Sequence, residues 1–371
     1  MNAAKAFLCH LLAQAGLTVN GPNPWDPQVH DEAFYPRTLR QRSLGLGEAY
    51  LDGWWDCQQL DVFFHRLFGA RLDEHVRITF GLALKLLPAV LFNAQSRRRA
   101  FIVGQKHYDI GNDLYERMLD TRMTYTCGYW QGADTLDQAQ TQKLDLVCRK
   151  LGLQAGQTVL DIGCGWGSFC RFAAENCGAS AVGVTVSKKQ VALGKQRCGG
   201  LAVELRLQDY RELQGRFDHV VSLGMFEHVG YKNYRTFFEV AHRCLKEDGL
   251  FLLHTIGANE ATTGTDPWID KYIFPNSTIP SVAQIGRAIE GLFVVEDWHN
   301  FGVDYDKTLM AWHANFERAW PQLQKTYGQR FGRMWRYFLL ASAALFRSRK
   351  SQLWQVVLSK RGLPGGYRAP R

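Results

Sequence analysis

No two of the nine cysteines stand in a Cys-x-x-Cys pair, and none is set with histidines at finger-type spacing. They are odd in number and scattered (Cys9, Cys57, Cys127, Cys148, Cys164, Cys170, Cys177, Cys198, Cys244), so neither a disulfide framework nor a metal site is indicated. The opening Met1-Asn2-Ala3-Ala4-Lys5 lacks the long apolar run and small-residue cleavage site of a signal peptide. A reducing, cytoplasmic setting is expected. No apolar run has the length of a membrane span: the most apolar window, Ile78 to Phe92, is too short and carries Lys85 and Pro88, although it suits a segment lying on a membrane. Internal repeats and low-complexity stretches are also missing.

What is present begins with size. A chain of 371 residues that is 46% hydrophobic buries a large core and suggests two domains or one enlarged one. The net charge of +9 is uneven, because residues 347–371 hold seven Lys or Arg and no acid. A second basic cluster, Arg97, Arg98, Arg99 and Lys106, separates two compositionally different stretches. Local charge of this kind suits anionic lipid or nucleic acid, or is an ordinary solvated surface. Up to about residue 95, short helical segments such as Ala3 to Gly16 are broken by turns, followed by an extended Trp-rich stretch around Ser43 to Trp55. We expect a small, mainly helical lipid-docking domain over 1–95, a basic linker over 96–105 and a catalytic domain over 106–371.

Between residues 138 and 255, apolar runs of strand length alternate with helical patterns, which implies right-handed crossovers and a mostly parallel sheet. Strands are expected at Thr158–Ile162, Ser180–Val184, Val203–Leu207, His219–Ser222 and Leu250–His254, a doubly wound α/β core. Leu292–Glu296 and Trp354–Leu358 would close the sheet as an antiparallel pair, after long helices from Thr308 to Phe346.

The strongest local signal is Val159-Leu-Asp-Ile-Gly-Cys-Gly-Trp-Gly-Ser, a strand that ends in closely spaced glycines and runs into a helix. Gly163, Gly165 and Gly167 permit a sharp turn and close ligand approach, and the helix behind them offers N–H groups to an anion. The spacing Gly-x-Gly-x-Gly differs from the Gly-x-Gly-x-x-Gly of dinucleotide folds. Preceded by Asp161, so compact a loop suits the amino acid end of S-adenosylmethionine, its carboxylate on backbone N–H groups and its ammonium near the acid. Thr185, Ser187 and Gln190 after the second strand, and Gln208-Asp209-Tyr210 after the third, converge on the same crevice. Many methyltransferases place an acid after strand two to hold the ribose hydroxyls. Here that work falls to Thr185 and Gln190.

Three further segments put ionisable groups at strand ends or nearby loops: Tyr125-Thr-Cys-Gly-Tyr-Trp, Met225-Phe-Glu-His-Val-Gly and His254-Thr-Ile-Gly. An acid and a histidine after apolar strands are costly to bury unless paired, so Glu227 and His254 are either partners of each other or ligands of something else. Cys127 is equally readable as a small buried hydrophobe.

These residues, with Gly45-Leu-Gly-Glu-Ala-Tyr-Leu-Asp-Gly-Trp-Trp, His107-Tyr-Asp-Ile-Gly-Asn-Asp, Asp266-Pro-Trp-Ile-Asp-Lys-Tyr, Asp297-Trp-His-Asn-Phe-Gly and Leu353-Trp-Gln-Val-Val, resemble the bacterial cyclopropane-fatty-acyl-phospholipid synthases along almost the whole chain. The mycolic acid cyclopropane synthases share only the catalytic half. The resemblance implies a Rossmann-like class I methyltransferase domain that takes a methylene from S-adenosylmethionine and adds it across the double bond of a phospholipid acyl chain. It also implies a bicarbonate ion serving as base, held by Cys127, Glu227, His254, the backbone of Ile256 and Tyr305, with Tyr125 and Thr126 beside the cofactor. Thr126 stands where the family commonly has Ser, which preserves the hydroxyl. A homodimer bound peripherally to the inner face of the membrane, with anionic lipid favoured, is implied as well.

Two other classes compete. One is a related enzyme that stops at methyl transfer to an acyl chain or to a small-molecule nitrogen; the other is a catalytically silent lipid- or nucleic-acid-binding protein, against which the intact Asp161, Glu227 and His254 argue. A nucleic acid methyltransferase is disfavoured because no Asn/Asp-Pro-Pro-Tyr type motif for a flipped base is present.

Overall fold

The computed structural model describes residues 3–70 and 111–371; the apolar window at 78–92 and the basic residues Arg97 to Lys106 lie outside the described residues. The chain divides into two compact units, one built from the N-terminal segment together with residues 265–275 and 305–351, the other from the remainder up to Arg371.

The first unit is mainly helical, with helices Ala3–Gln14, Phe34–Leu51, Leu60–Gly69 and Pro267–Tyr272 and most of the long stretch Val303–Arg347. The expected extended stretch around Ser43 is instead helical as far as Leu51, and only Trp55–Asp56 pairs as a short strand with Gln28–Val29. Tertiary contact overrides the weak helix propensity of Gly45 and Gly47 there, since a Cβ on Gly47 would collide with the Trp268 ring. Trp55 is fully buried, its ring 5.1 Å from Phe63 and 5.3 Å from Tyr50, and its Nε1 donates to Leu46 O at 3.0 Å. The 303–347 stretch is two helices joined at Gly328, where φ is 76° and ψ 159°. They fold back on each other: Trp320 covers Gly332, Arg336 pairs with Glu317, and Arg347 pairs with Asp306.

The second unit holds a seven-stranded sheet: β1 (Thr158–Ile162), β2 (Ser180–Thr185), β3 (Val203–Leu207), β4 (Phe217–Leu223), β5 (Leu245–Ala258), β6 (Val294–Asn300) and β7 (Ser351–Ser359). Their spatial order is β3-β2-β1-β4-β5-β7-β6. The β1/β2, β2/β3, β1/β4 and β4/β5 pairs are parallel and β6/β7 antiparallel, as expected. Period-two alternation builds a core on each face. Val159, Val221, Leu252 and Val357 pack with Leu144, Val147, Phe169 and Phe172 on one side. Leu160, Ile162, Val220, Phe251, Leu253 and Val356 pack with Phe237, Phe238 and Ile285 on the other. By the same alternation Asp161 and His254 fall on the first face, which the Leu136–Leu151 helix covers. Strand order reverses between β1 and β4, so a crevice opens at their carboxyl ends.

Candidate active site

The glycine loop leaves β1 at Ile162. Gly163, Gly165 and Gly167 take φ of 96°, 55° and 81°, conformations rarely open to residues with a Cβ. At Gly163 a Cβ would meet Met225 at 2.5 Å, so the loop abuts the segment that carries Glu227. Asp161 is buried, with Oδ2 accepting from Cys170 Sγ at 3.8 Å and Oδ1 without a partner among the described residues. Burial pushes its carboxyl up to about 7, against the opposing pull of the Lys143 cation. Thr185 donates to Gln190 Oε1 at 2.7 Å, which leaves the Gln190 amide nitrogen facing Gly165, 4.0 Å from where a Cβ would stand. Gln208 and Asp209 have local partners as well. Gln208 Nε2 donates to Glu212 O at 3.1 Å, and the Asp209 oxygens receive Arg211 Nε and Nη2 at 2.8 and 2.6 Å.

Tyr125, Thr126 and Cys127 are brought to the same end of the sheet by the 136–151 helix. Gln140 Nε2 donates to Thr126 O at 2.7 Å, Lys143 Nζ donates to Thr126 Oγ1 at 2.9 Å, and Tyr129 N donates to Ala139 O at 2.9 Å. The Tyr125 ring meets Tyr115 edge-on at 5.1 Å, and Tyr115 leans on Trp166 of the glycine loop at 5.0 Å. Cys127 is fully buried, its thiol 3.1 Å from Gly128 O. Thr126 packs its methyl where a Cβ on Gly224 would sit, and Gly224 N donates to His254 O at 2.8 Å. The three ionisable segments thus converge.

Glu227 and His254 are not partners of each other. Glu227 Oε1 accepts from Ile256 N at 2.6 Å, while Oε2 has no partner among the described residues. Burial pushes this carboxyl up to about 7, and the Ile256 N–H holds it back only in part. His254 accepts at Nδ1 from Gln355 Nε2 at 3.4 Å, and its Nε2 has no partner among the described residues. Burial, reinforced by the Lys143 and Lys150 cations, holds the imidazole well below its usual range, so the ring is neutral. With Nδ1 accepting, the proton sits on Nε2. Glu227, whose carboxyl is pushed up to about 7, and the neutral His254 therefore leave two buried polar atoms without partners among the described residues, at the carboxyl ends of β4 and β5. With the Glu227 proton in place, such an arrangement accepts a small oxyanion at low electrostatic cost, since no negative charge then opposes it. Tyr305 belongs to the helical unit, where its ring packs 4.5 Å from Phe346 and 5.9 Å from Trp312.

Three polar residues in this neighbourhood are assigned no role from the sequence: Gln140, Lys143 and Gln355, all buried. A signal for two of them does exist. Leu136, Gln140, Lys143 and Val147 follow one helical stripe, and polar residues on an otherwise apolar stripe mark a buried polar task.

Residues 95–356 match the family model described as mycolic acid cyclopropane synthetase. The chain is 52% identical over 361 residues to the cyclopropane-fatty-acyl-phospholipid synthase of Escherichia coli (strain K12), covering 97% of this chain and 94% of that one. It is 39% identical over 278 residues to a probable fatty acid methyltransferase of Pseudomonas putida, covering 71% of this chain and 70% of that one. Among solved structures, the mycolic acid cyclopropane synthase CmaA1 complexed with SAH and CTAB is 31% identical, with a TM-score of 0.66 over 70% of this chain and 98% of that one. The chain therefore belongs to the mycolic acid cyclopropane synthetase family and is an S-adenosylmethionine-dependent methyltransferase of doubly wound, Rossmann-like class I fold.

Proposed function

We propose that this enzyme carries a methylene from S-adenosylmethionine across the cis double bond of unsaturated acyl chains in membrane phospholipids, through a carbocation deprotonated by bound bicarbonate. The observation that carries the reading is the pair of buried, unpartnered atoms, Glu227 Oε2 and His254 Nε2, close to the glycine loop. The likeness to the E. coli synthase supports the phospholipid substrate.

Asp161 and the glycine loop, with Thr185, Gln190, Gln208 and Asp209 around them and Tyr125 and Thr126 opposite, hold the cofactor in this reading, and its sulfonium supplies the electrophilic methyl. An alkene is a weak nucleophile, so these residues must align donor and acceptor and exclude water, an orientation task. Transfer leaves a cation beside the new methyl that water would trap as an alcohol. The reaction therefore requires a lining of apolar and aromatic side chains, which excludes water and stabilises the charge through π faces. Glu227 and His254, with Cys127 and the Ile256 backbone, hold bicarbonate where it removes a proton from that methyl, which closes the ring; the family resemblance adds Tyr305 to this set.

Because the substrate lies in a bilayer, the N-terminal helical domain and the basic cluster from Arg97 to Lys106 dock the enzyme on the inner face of the membrane, with anionic lipid favoured, and a homodimer presents two such surfaces. Among the described residues no helix is long and apolar enough to cross a membrane.

Purified protein incubated with S-adenosylmethionine and unsaturated phospholipid vesicles should yield acyl chains whose proton spectrum shows the upfield ring signals. The rate should fall when dissolved carbon dioxide is stripped and return when bicarbonate is added. A methyl-branched product without ring signals would remove ring closure from the reading, and full speed without bicarbonate would remove the base.

A further inference from the structure

The 136–151 helix buries an ammonium group that no step above uses. Lys143 is fully buried, and no carboxylate lies within ion-pair distance of its Nζ among the described residues. Two acids influence it from farther away, and neither forms an ion pair with it. Asp120 accepts from Thr124 N at 2.6 Å and Arg122 N at 3.1 Å, and Asp161 accepts from Cys170. Burial also pushes both carboxyls up, which weakens the negative charge they offer. A buried cation without a full counter-charge is costly, and a leucine or methionine would pack the same stripe without that cost. Its presence here points to an anion that arrives from outside.

The hydrogen bond to Thr126 shows where. An ammonium has three donors and no acceptor, so Thr126 Oγ1 must accept from Lys143 and direct its own proton elsewhere. Lys143 thereby makes the Thr126 hydroxyl an obligate donor. Backbone placement does not need it, because Gln140 already holds Thr126 O and Thr124 O from one turn earlier on the helix.

We propose that Lys143 is a positioning residue of the cofactor site: it fixes the Thr126 hydroxyl as a donor and supplies the positive charge that receives the carboxylate of S-adenosylmethionine. This rests on the cofactor placement given under the proposed function.

Calorimetry on the full chain with two ligands tests it. S-adenosylhomocysteine carries the amino acid end; 5′-methylthioadenosine keeps the adenosine and the thioether but lacks that end. Lys143→Met should weaken S-adenosylhomocysteine by about tenfold or more, the scale of a lost charge-assisted contact, and leave 5′-methylthioadenosine within about twofold. Thr126→Val should show the same selectivity, and the double variant should lose little beyond either single one. Equal losses for both ligands would assign Lys143 to general packing and overturn the proposal. So would unchanged S-adenosylhomocysteine binding together with a raised bicarbonate requirement, which would make bicarbonate the anion. Should Lys143→Met fail to fold, Thr126→Val decides alone, and wild-type affinity in that variant refutes the assignment. If the unmodified protein binds neither ligand, the cofactor placement falls with it; if it binds both and the variants match it, only the Lys143 assignment falls.

Discussion

Burial that raises a carboxyl from 4.5 to about 7 makes the neutral form of Glu227 the one that folding prefers. Stability from that preference is intact below the unfolded value and is lost as pH rises through about 7, where the buried group must ionise. Glu227→Gln removes this penalty. The variant should be more stable than the unmodified protein at pH 8, by up to about 3 kcal/mol, and equal to it near pH 4.5, as read from urea unfolding at the two pH values. It should also keep S-adenosylhomocysteine affinity within about twofold while losing at least about a hundredfold of ring product, the scale of a displaced base. A variant that is both less stable at pH 8 and fully active would contradict the assigned environment and the assigned role together. Asp161→Ala belongs to the same scale. Calorimetry should show cofactor binding lost in a folded protein, because this carboxyl keeps one oxygen unpartnered at the mouth of the glycine loop. Asp161, Glu227 and His254 stand out as candidates in the sequence itself, because each lies in or just after an apolar strand. Their protonation does not, since it depends on burial and, for Asp161 and His254, on Lys143, which folding brings up from another element.

Two long elements show how far local pattern reaches. The strands read from alternating runs coincide with β1 and β3 and lie within β2, β4, β5 and β7, because a parallel sheet covered on both faces writes its burial directly into the sequence. The stretch read as starting at Leu292 begins two residues later, at Val294. In the 303–347 stretch, helical periodicity was visible but the reversal was not, since it turns on one residue. Gly328 adopts φ 76° and ψ 159°, a region that is essentially glycine-only. Gly328→Ala should therefore cost about 1–3 kcal/mol, measured as a shift of the urea midpoint at constant slope. A neutral result would mean that the hairpin relaxes without strain. The helix start at Thr135 was equally unremarked, although Thr135 and Gln138 form a capping box there.

Across the molecule the basic charge is concentrated in two stretches of the sequence. In the C-terminal 25 residues, Arg347 pairs with Asp61 and Asp306, Lys360 and Arg361 with Glu247, and Arg371 with Asp297, so much of the tail's charge is already matched. Unmatched charge is what attracts a membrane. Replacing Arg97, Arg98 and Arg99 by Ser should therefore sharply reduce co-sedimentation with anionic vesicles at low salt, whereas Arg371→Ser should leave it nearly unchanged, and high salt should abolish the difference. Equal binding by both variants would place the docking surface elsewhere. The sequence by itself determined the sheet, the glycine loop and the acid and histidine at the strand ends, because hydrophobic period and glycine spacing are local properties that survive in one dimension. Only the tertiary structure decided that residues 265–275 and 305–351 join the N-terminal helices, that Glu227 bonds to Ile256 rather than to His254, and that Lys143 stands against Thr126. Each of these depends on contact between segments far apart in the chain, and the electrostatic consequences follow from the low-dielectric interior that such contacts create.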